Sequence, residues 1–185
     1  MKYLILLSVL FFVSEFLLML VKRSKKIERK RQNDKGSLVL LWVVITICFT
    51  FGFMFANYRT WTLINYAIAI LGVMVILTGA IIRWISIIQL SSAFSVNVAI
   101  GNNHKLKTDG VYKYVRHPSY LGLLLIMFGF SVSMNSYISI LIITIPMLLV
   151  ILYRIKVEEE ILLAEFGNDY SNYKNRTKKL IPWVI

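Results

Sequence analysis

Residues 118–153 run for 36 positions without one charged side chain. As a single helix rising about 1.5 Å per residue, that run would reach about 54 Å, far beyond a hydrocarbon core of about 30 Å. It must therefore fold back on itself, and Met134-Asn135-Ser136 is the polar break where it can. The pattern predicts a helical hairpin with arms over 118–134 and 136–155. Pro146 falls inside the second arm, where a kink is tolerated if neighbours satisfy the freed carbonyl.

Three more apolar runs precede the hairpin. Residues 3–21 are interrupted only by Ser8, Ser14 and Glu15. The run is long and lacks a small-residue cleavage site before the basic segment that follows, so it reads as a retained helix rather than a signal peptide. Residues 38–56 carry no charge, and residues 63–82 form a further run within a helix expected over 61–90. The expectation is an all-α integral membrane protein with about five transmembrane helices, the last two a hairpin, plus short cytoplasmic C-terminal helices. It forms one domain over residues 1–185. Composition agrees: 58% of residues are hydrophobic and 16% charged, against about 25% charged in soluble domains. A soluble globule and a disordered chain are both excluded. The single cysteine, Cys48, lies in an apolar run and gives neither a disulfide framework nor a cysteine-based metal site.

The cations set an orientation. Eight occupy residues 22–35; Lys105, Lys107, Lys113 and Arg116 lie between the third and fourth spans; Arg154, Lys156, Lys174, Arg176, Lys178 and Lys179 follow the fifth. With five spans, these 18 of 21 cations share one side, and only Lys2 and Arg59 fall opposite. The positive-inside rule then places the N-terminus outside, with the loop 97–120 and the tail 156–185 in the cytoplasm. The net charge of +12 follows from this topology and implies no nucleic-acid partner. The basic 22–35 loop is expected against anionic headgroups. The tail reads as a helix continuing from the fifth span, a break at Gly167, a short second helix and an extended end at Pro182.

Two cytoplasmic segments are too specific in composition to be plain connectors. The first runs from His104 through Gly110-Val-Tyr112 to Arg116-His-Pro-Ser-Tyr120-Leu-Gly122. Gly110 and Pro118 fix turns, and Pro118 can open the fourth helix at its first position. Backbone N–H groups beside Arg116 and His117 would then be free to hold a carboxylate. The second segment puts Arg154 and Glu158 on one helical face. Taken alone, Arg116 and Lys113 read as topology anchors. Arg154 and Glu158 alone read as an exposed ion pair worth about 0.3–0.5 kcal/mol. Arg83 and Glu15 sit in apolar spans; snorkelling accounts for Arg83, and a buried pair between them has no support in the sequence alone. His104 and His117 are neither spaced nor accompanied as metal ligands, so no metal is expected.

Together, Gly110-Val-Tyr112, Arg116-His-Pro-Ser-Tyr120-Leu-Gly122 and the tail run Glu158-Glu-Glu160, Phe166-Gly167-Asn-Asp-Tyr170, Tyr173-Lys and Leu180-Ile-Pro182 carry a resemblance. They resemble the isoprenylcysteine carboxyl methyltransferase family and the related membrane phospholipid methyltransferases, over about residues 104–182. The resemblance implies an S-adenosylmethionine-dependent methyltransferase without a soluble Rossmann fold. Its cofactor would sit in a cytoplasm-facing pocket made by the loop, the ends of the last two spans and the C-terminal helices. By motif, His104, Lys105, Leu106, Lys107, Tyr112, His117, Pro118, Ser119 and Tyr120 would line the cofactor, and Glu158 would contact it. Arg154 would face the methyl acceptor as the catalytic, substrate-binding residue. Asn97 stands where the family's eukaryotic members place a glutamine as a cofactor contact; it offers the same amide chemistry on a shorter stem.

The residue chemistry is compatible with these roles. A carboxylate such as Glu158 can accept from ammonium or hydroxyl groups, and Tyr112 and Tyr120 offer π-faces to adenine or sulfonium. Arg154 can clamp a carboxylate acceptor in a bidentate fork. The expected partners are a lipophilic or lipidated acceptor and membrane lipids, with no obligatory protein partner. Alternatives are a lipid amine or hydroxyl methyltransferase using the same cofactor site, a relative of the sterol reductases, or a small transporter or structural membrane protein. The chain is short for a sterol reductase, and a transporter leaves both cytoplasmic motifs unexplained.

Overall fold

The computed structural model describes residues 2–21, 31–32, 36–56, 66–90, 99–100 and 106–181. In chain order these form α1 (Lys2–Val21), β1 (Arg31–Gln32), α2 (Ser37–Ala56), α3 (Tyr66–Leu90), β2 (Ala99–Ile100), a 3-10 turn (Gly110–Lys113), α4 (Pro118–Ser133), α5 (Tyr137–Phe166) and α6 (Asn168–Arg176). Three helices, Ser37–Ala56, Ala67–Leu90 and Tyr137–Phe166, are long and apolar enough to cross a membrane, and Tyr3–Leu18 and Pro118–Ser133 are shorter apolar helices.

Each long helix buries one stripe and is apolar elsewhere. On α1 the buried residues are Leu4, Ser8, Phe11, Glu15 and Leu18, alternating steps of four and three. On α2 they include Ser37, Leu41, Ile45, Cys48, Gly52 and Ala56. The other faces display large apolar side chains such as Val9, Leu10, Ile70 and Leu77. Water would penalise such a surface and hydrocarbon accepts it. The protein is an all-helical integral membrane protein. A two-residue antiparallel ladder, Arg31–Gln32 against Ala99–Ile100, ties the segment after α1 to the segment after α3.

The hairpin forms where the polar break allows it. Asn135 takes a left-handed conformation with φ of 56°, which Asn tolerates better than most residues. Ser136 then caps α5 by accepting from the Ser139 amide. The 30 residues of α5 would extend about 45 Å, so its charged end continues beyond the bilayer without breaking helical phase. Pro146 withholds an N–H from the Ile142 carbonyl, and the Cys48 thiol of α2 donates to that carbonyl at 3.4 Å. Ser139 Oγ donates to Gly52 O at 2.8 Å, a second polar tie between α2 and α5.

Packing of α3 against α4 depends on glycine. A Cβ at Gly79 would lie 2.7 Å from Gly122 O, and one at Gly129 would lie 2.7 Å from Gly72 O. Both helices therefore meet backbone to backbone at two levels, as small residues permit in membranes. Leu123, Met127 and Phe130 of α4 are buried in the shared core, where Phe130 meets Phe49 edge-on at 5.0 Å.

At the polar end the chain turns at Gly167, with φ of 51°, into α6. Past α6, Lys178 bridges Val115 in parallel. Arg116 N donates to Lys178 O at 2.9 Å, and His117 N to Lys179 O at 3.2 Å. The helix, break and short helix expected of the tail are present; the extended end expected at Pro182 lies outside the described residues.

Candidate active site

Pro118 stands at the first position of α4, and the residues around it form the edge of a polar cluster. His117 is buried, with Nδ1 3.9 Å from Glu158 Oε2 and Nε2 3.4 Å from Glu159 Oε1. Its ring centroid lies 5.8 Å from that of Tyr120. The Tyr120 hydroxyl accepts from Arg154 Nε at 2.9 Å. The Arg154 Cζ lies 5.9 Å from the Tyr120 ring centroid, and Arg154 Nη1 donates to Ser37 Oγ at 2.9 Å. Two segments some 40 positions apart in sequence thus share one constellation. Arg154 is only 3% exposed, which corrects the reading of an exposed Arg154–Glu158 pair.

Arg116 is not a topology anchor. It is buried, with Nε donating to Glu159 Oε1 at 2.9 Å and Nη1 to Lys174 O at 3.0 Å. Nη1 also donates to the Thr177 carbonyl. One guanidinium therefore ties the loop to α5 and to the tail. Burial opposes charge on Glu159, but hydrogen bonds and charges from His117 and Arg116 outweigh it and hold its carboxyl at about 2. The amides of Arg116 and His117 donate to the carbonyls of Lys178 and Lys179, which docks the tail beside the first turn of α4.

Tyr112 is buried between α3 and α6. Its hydroxyl donates to Ser86 O at 3.2 Å, and its own carbonyl accepts from Tyr173 Oη at 2.6 Å. Burial, then the Glu158 charge, pushes the Tyr112 hydroxyl above its ordinary range. Burial pushes Tyr173 up to about 12, so both remain neutral donors near neutral pH. Gly110, with φ of 61°, precedes Val111, whose amide donates to Gln89 Oε1 at 2.9 Å, fixing the turn onto α3. Leu106 is half-buried, and Lys107 pairs with Asp109 at 2.9 Å. Asn97, His104 and Lys105 lie outside the described residues. Among the described residues no group of three or more His, Cys, Asp or Glu could hold a metal.

Ser119 faces the other way. Its carbonyl and hydroxyl both accept from Arg83 Nη1 at 3.1 Å. Arg83 Nε and Nη2 reach Glu15 Oε1 and Oε2 at 2.6 Å each. The pair is buried, so snorkelling does not describe Arg83. Glu159 and the Glu15–Arg83 fork are the members of this region that local spacing did not reveal.

Fold and site together define a polytopic helical membrane protein with one ionisable cluster built from a loop, two helix ends and the C-terminal tail. The isoprenylcysteine carboxyl methyltransferase family profile matches residues 68–164, and the chain belongs to that family. It is 33% identical over 108 residues to the protein-S-isoprenylcysteine O-methyltransferase of Schizosaccharomyces pombe, covering 57% of this chain and 46% of that protein. It is 33% identical over 115 residues to the B form from Arabidopsis thaliana, covering 61% of this chain and 58% of that one. The Saccharomyces cerevisiae enzyme is 28% identical over 156 residues, 82% of this chain and 65% of that protein. The matches thus span about half the length of the first two relatives. A solved eukaryotic intramembrane Ras methyltransferase, an isoprenylcysteine carboxyl methyltransferase, shares the fold with a TM-score of 0.66 at 24% identity, over 95% of this chain and 63% of that one.

Proposed function

We propose that this chain is an S-adenosylmethionine-dependent methyltransferase that methylates the carboxylate of a lipidated, isoprenylcysteine-like acceptor. The observation that carries the reading is the approach of His117 to Glu158 within 3.9 Å, with the His117 ring beside Tyr120 and the Tyr120 hydroxyl bonded to Arg154. The donor set fits the cofactor. Glu158 is the more open carboxylate of the cluster, its side chain 29% exposed against 10% for Glu159, and can accept from an ammonium or ribose hydroxyls. His117 and Tyr120 add ring faces and polar atoms beside it. When bound, S-adenosylmethionine supplies a methyl group on a sulfonium.

Arg154 is the residue proposed to receive the acceptor. Tyr120 and Ser37 fix its Nε and Nη1, so its orientation is set before an acceptor arrives. A carboxylate acceptor is already ionised, so the chain needs no general base. Its task is alignment and exclusion of water. The His104–Lys107 stretch and Asn97 are proposed to complete the cofactor's surroundings. The acceptor would enter from the bilayer and the cofactor from the cytoplasm. Cytoplasmic placement of both the loop and the tail is supported by the cation asymmetry, and the Val115–Lys178 bridge requires them to share a side.

Membranes containing the protein, incubated with radiolabelled methyl donor and a farnesylated cysteine, should yield product that releases volatile methanol under base. A base-stable label would contradict ester formation and favour amine or ether methylation. Arg154→Lys keeps charge but loses the fork; turnover should fall by about 100-fold while cofactor affinity stays within a few-fold. Equal loss of both would move Arg154 into the cofactor's shell.

A further inference from the structure

We infer that Glu15 and Arg83 are a positioning pair that holds the first turn of α4, and through it the cofactor-facing residues, in working geometry. The inference rests on the methyltransferase reading and extends it to a helix outside the matched residues 68–164.

The geometry is specific. Arg83 uses Nε and Nη2 on the two oxygens of Glu15 at 2.6 Å each, the bidentate arrangement that fixes a guanidinium most firmly. Its remaining nitrogen, Nη1, reaches both the carbonyl and the hydroxyl of Ser119 at 3.1 Å. Gly122 makes this approach possible, because a Cβ there would lie 2.7 Å from both N and Cβ of Arg83. Thus α1 aims Arg83 and Arg83 grips α4. Ser119 lies between His117 and Tyr120 in sequence, and those two side chains meet Glu158 and Arg154. A displacement of Ser119 therefore moves both halves of the proposed site.

An ionised pair within apolar helices is costly and persists where it has a task. Association of α3 with α4 does not call for the Arg83–Ser119 contact, since those two helices already meet through glycine. The third contact, onto a serine inside the motif, is what a purely structural pair would not require.

The test uses the purified full-length protein in detergent, with S-adenosylhomocysteine titrated by calorimetry and methyl transfer measured in parallel. Glu15→Asp keeps the charge but shortens the reach, so Arg83 must be drawn toward α1 and away from Ser119. Glu15→Gln keeps the shape and removes the charge. Both should weaken S-adenosylhomocysteine binding by about tenfold or more and lower kcat, with Glu15→Asp the milder, at temperatures where melting curves show them folded. If Glu15→Gln does not fold, Glu15→Asp alone decides. Wild-type affinity and kcat in the folded variants, with only a lowered Tm, would overturn the inference and leave the pair structural. Failure of the wild type itself to bind would instead refute the methyltransferase reading.

Discussion

Arg116 and Glu159 show how a single buried contact governs the polar end. Glu159 is held at about 2 against an ordinary 4.5. A carboxyl lowered on folding contributes stability that is fully present above 4.5 and is lost as pH falls toward 2. The wild type should therefore lose stability across that acid window, and Glu159→Gln should melt lower at neutral pH with a flatter acid limb. Parallel Tm-versus-pH curves for the two proteins would contradict the assignment. The sequence did not betray this contact, because its partners lie 43 positions apart on a loop and a helix, with no periodicity to join them. Glu158 was singled out as a cofactor contact only through the family resemblance. Its neighbour Glu159, in the same run of three, was not separable by composition. The pairing of the Arg116 and His117 amides with Lys178 and Lys179 was invisible for a related reason: no local pattern encodes the docking of the tail.

Among the elements, the hairpin was readable because length alone forces it: no single helix of 36 residues fits a bilayer. The break fell on Met134-Asn135-Ser136, where Asn135 could adopt positive φ and Ser136 could cap. The close pairing of α3 and α4 was not foreseen, since glycine in an apolar run does not announce which helix it meets. That pairing carries its own expectation. Gly79→Leu must push apart backbones whose nearest approach to a Cβ is 2.7 Å. It should destabilise the protein by about 1–3 kcal/mol or more, read as a lowered melting temperature in detergent. Because Arg83 lies one turn beyond Gly79 and meets Ser119, the same change should weaken cofactor binding. A variant with wild-type melting and affinity would show that the interface tolerates separation.

For the whole molecule, the segment before α4 and the tail meet at the same end of the helices, and that convergence is what the methyltransferase account requires. The cation asymmetry put both segments on one side, and the family resemblance implied that they meet. The geometry adds what joins the parts: Arg116 to α5 and the tail, Arg154 to α4 and α2, and Arg83 to α1 and α4. Each helix from α1 to α5 contributes a polar atom to this connected set. The most direct measurement is calorimetric titration of S-adenosylhomocysteine into the purified protein and into Glu158→Ala and Arg154→Lys. The account expects saturable binding by the wild type, retained within a few-fold by Arg154→Lys and strongly weakened by Glu158→Ala. No binding by the folded wild type at millimolar ligand, or full affinity in Glu158→Ala, would contradict it.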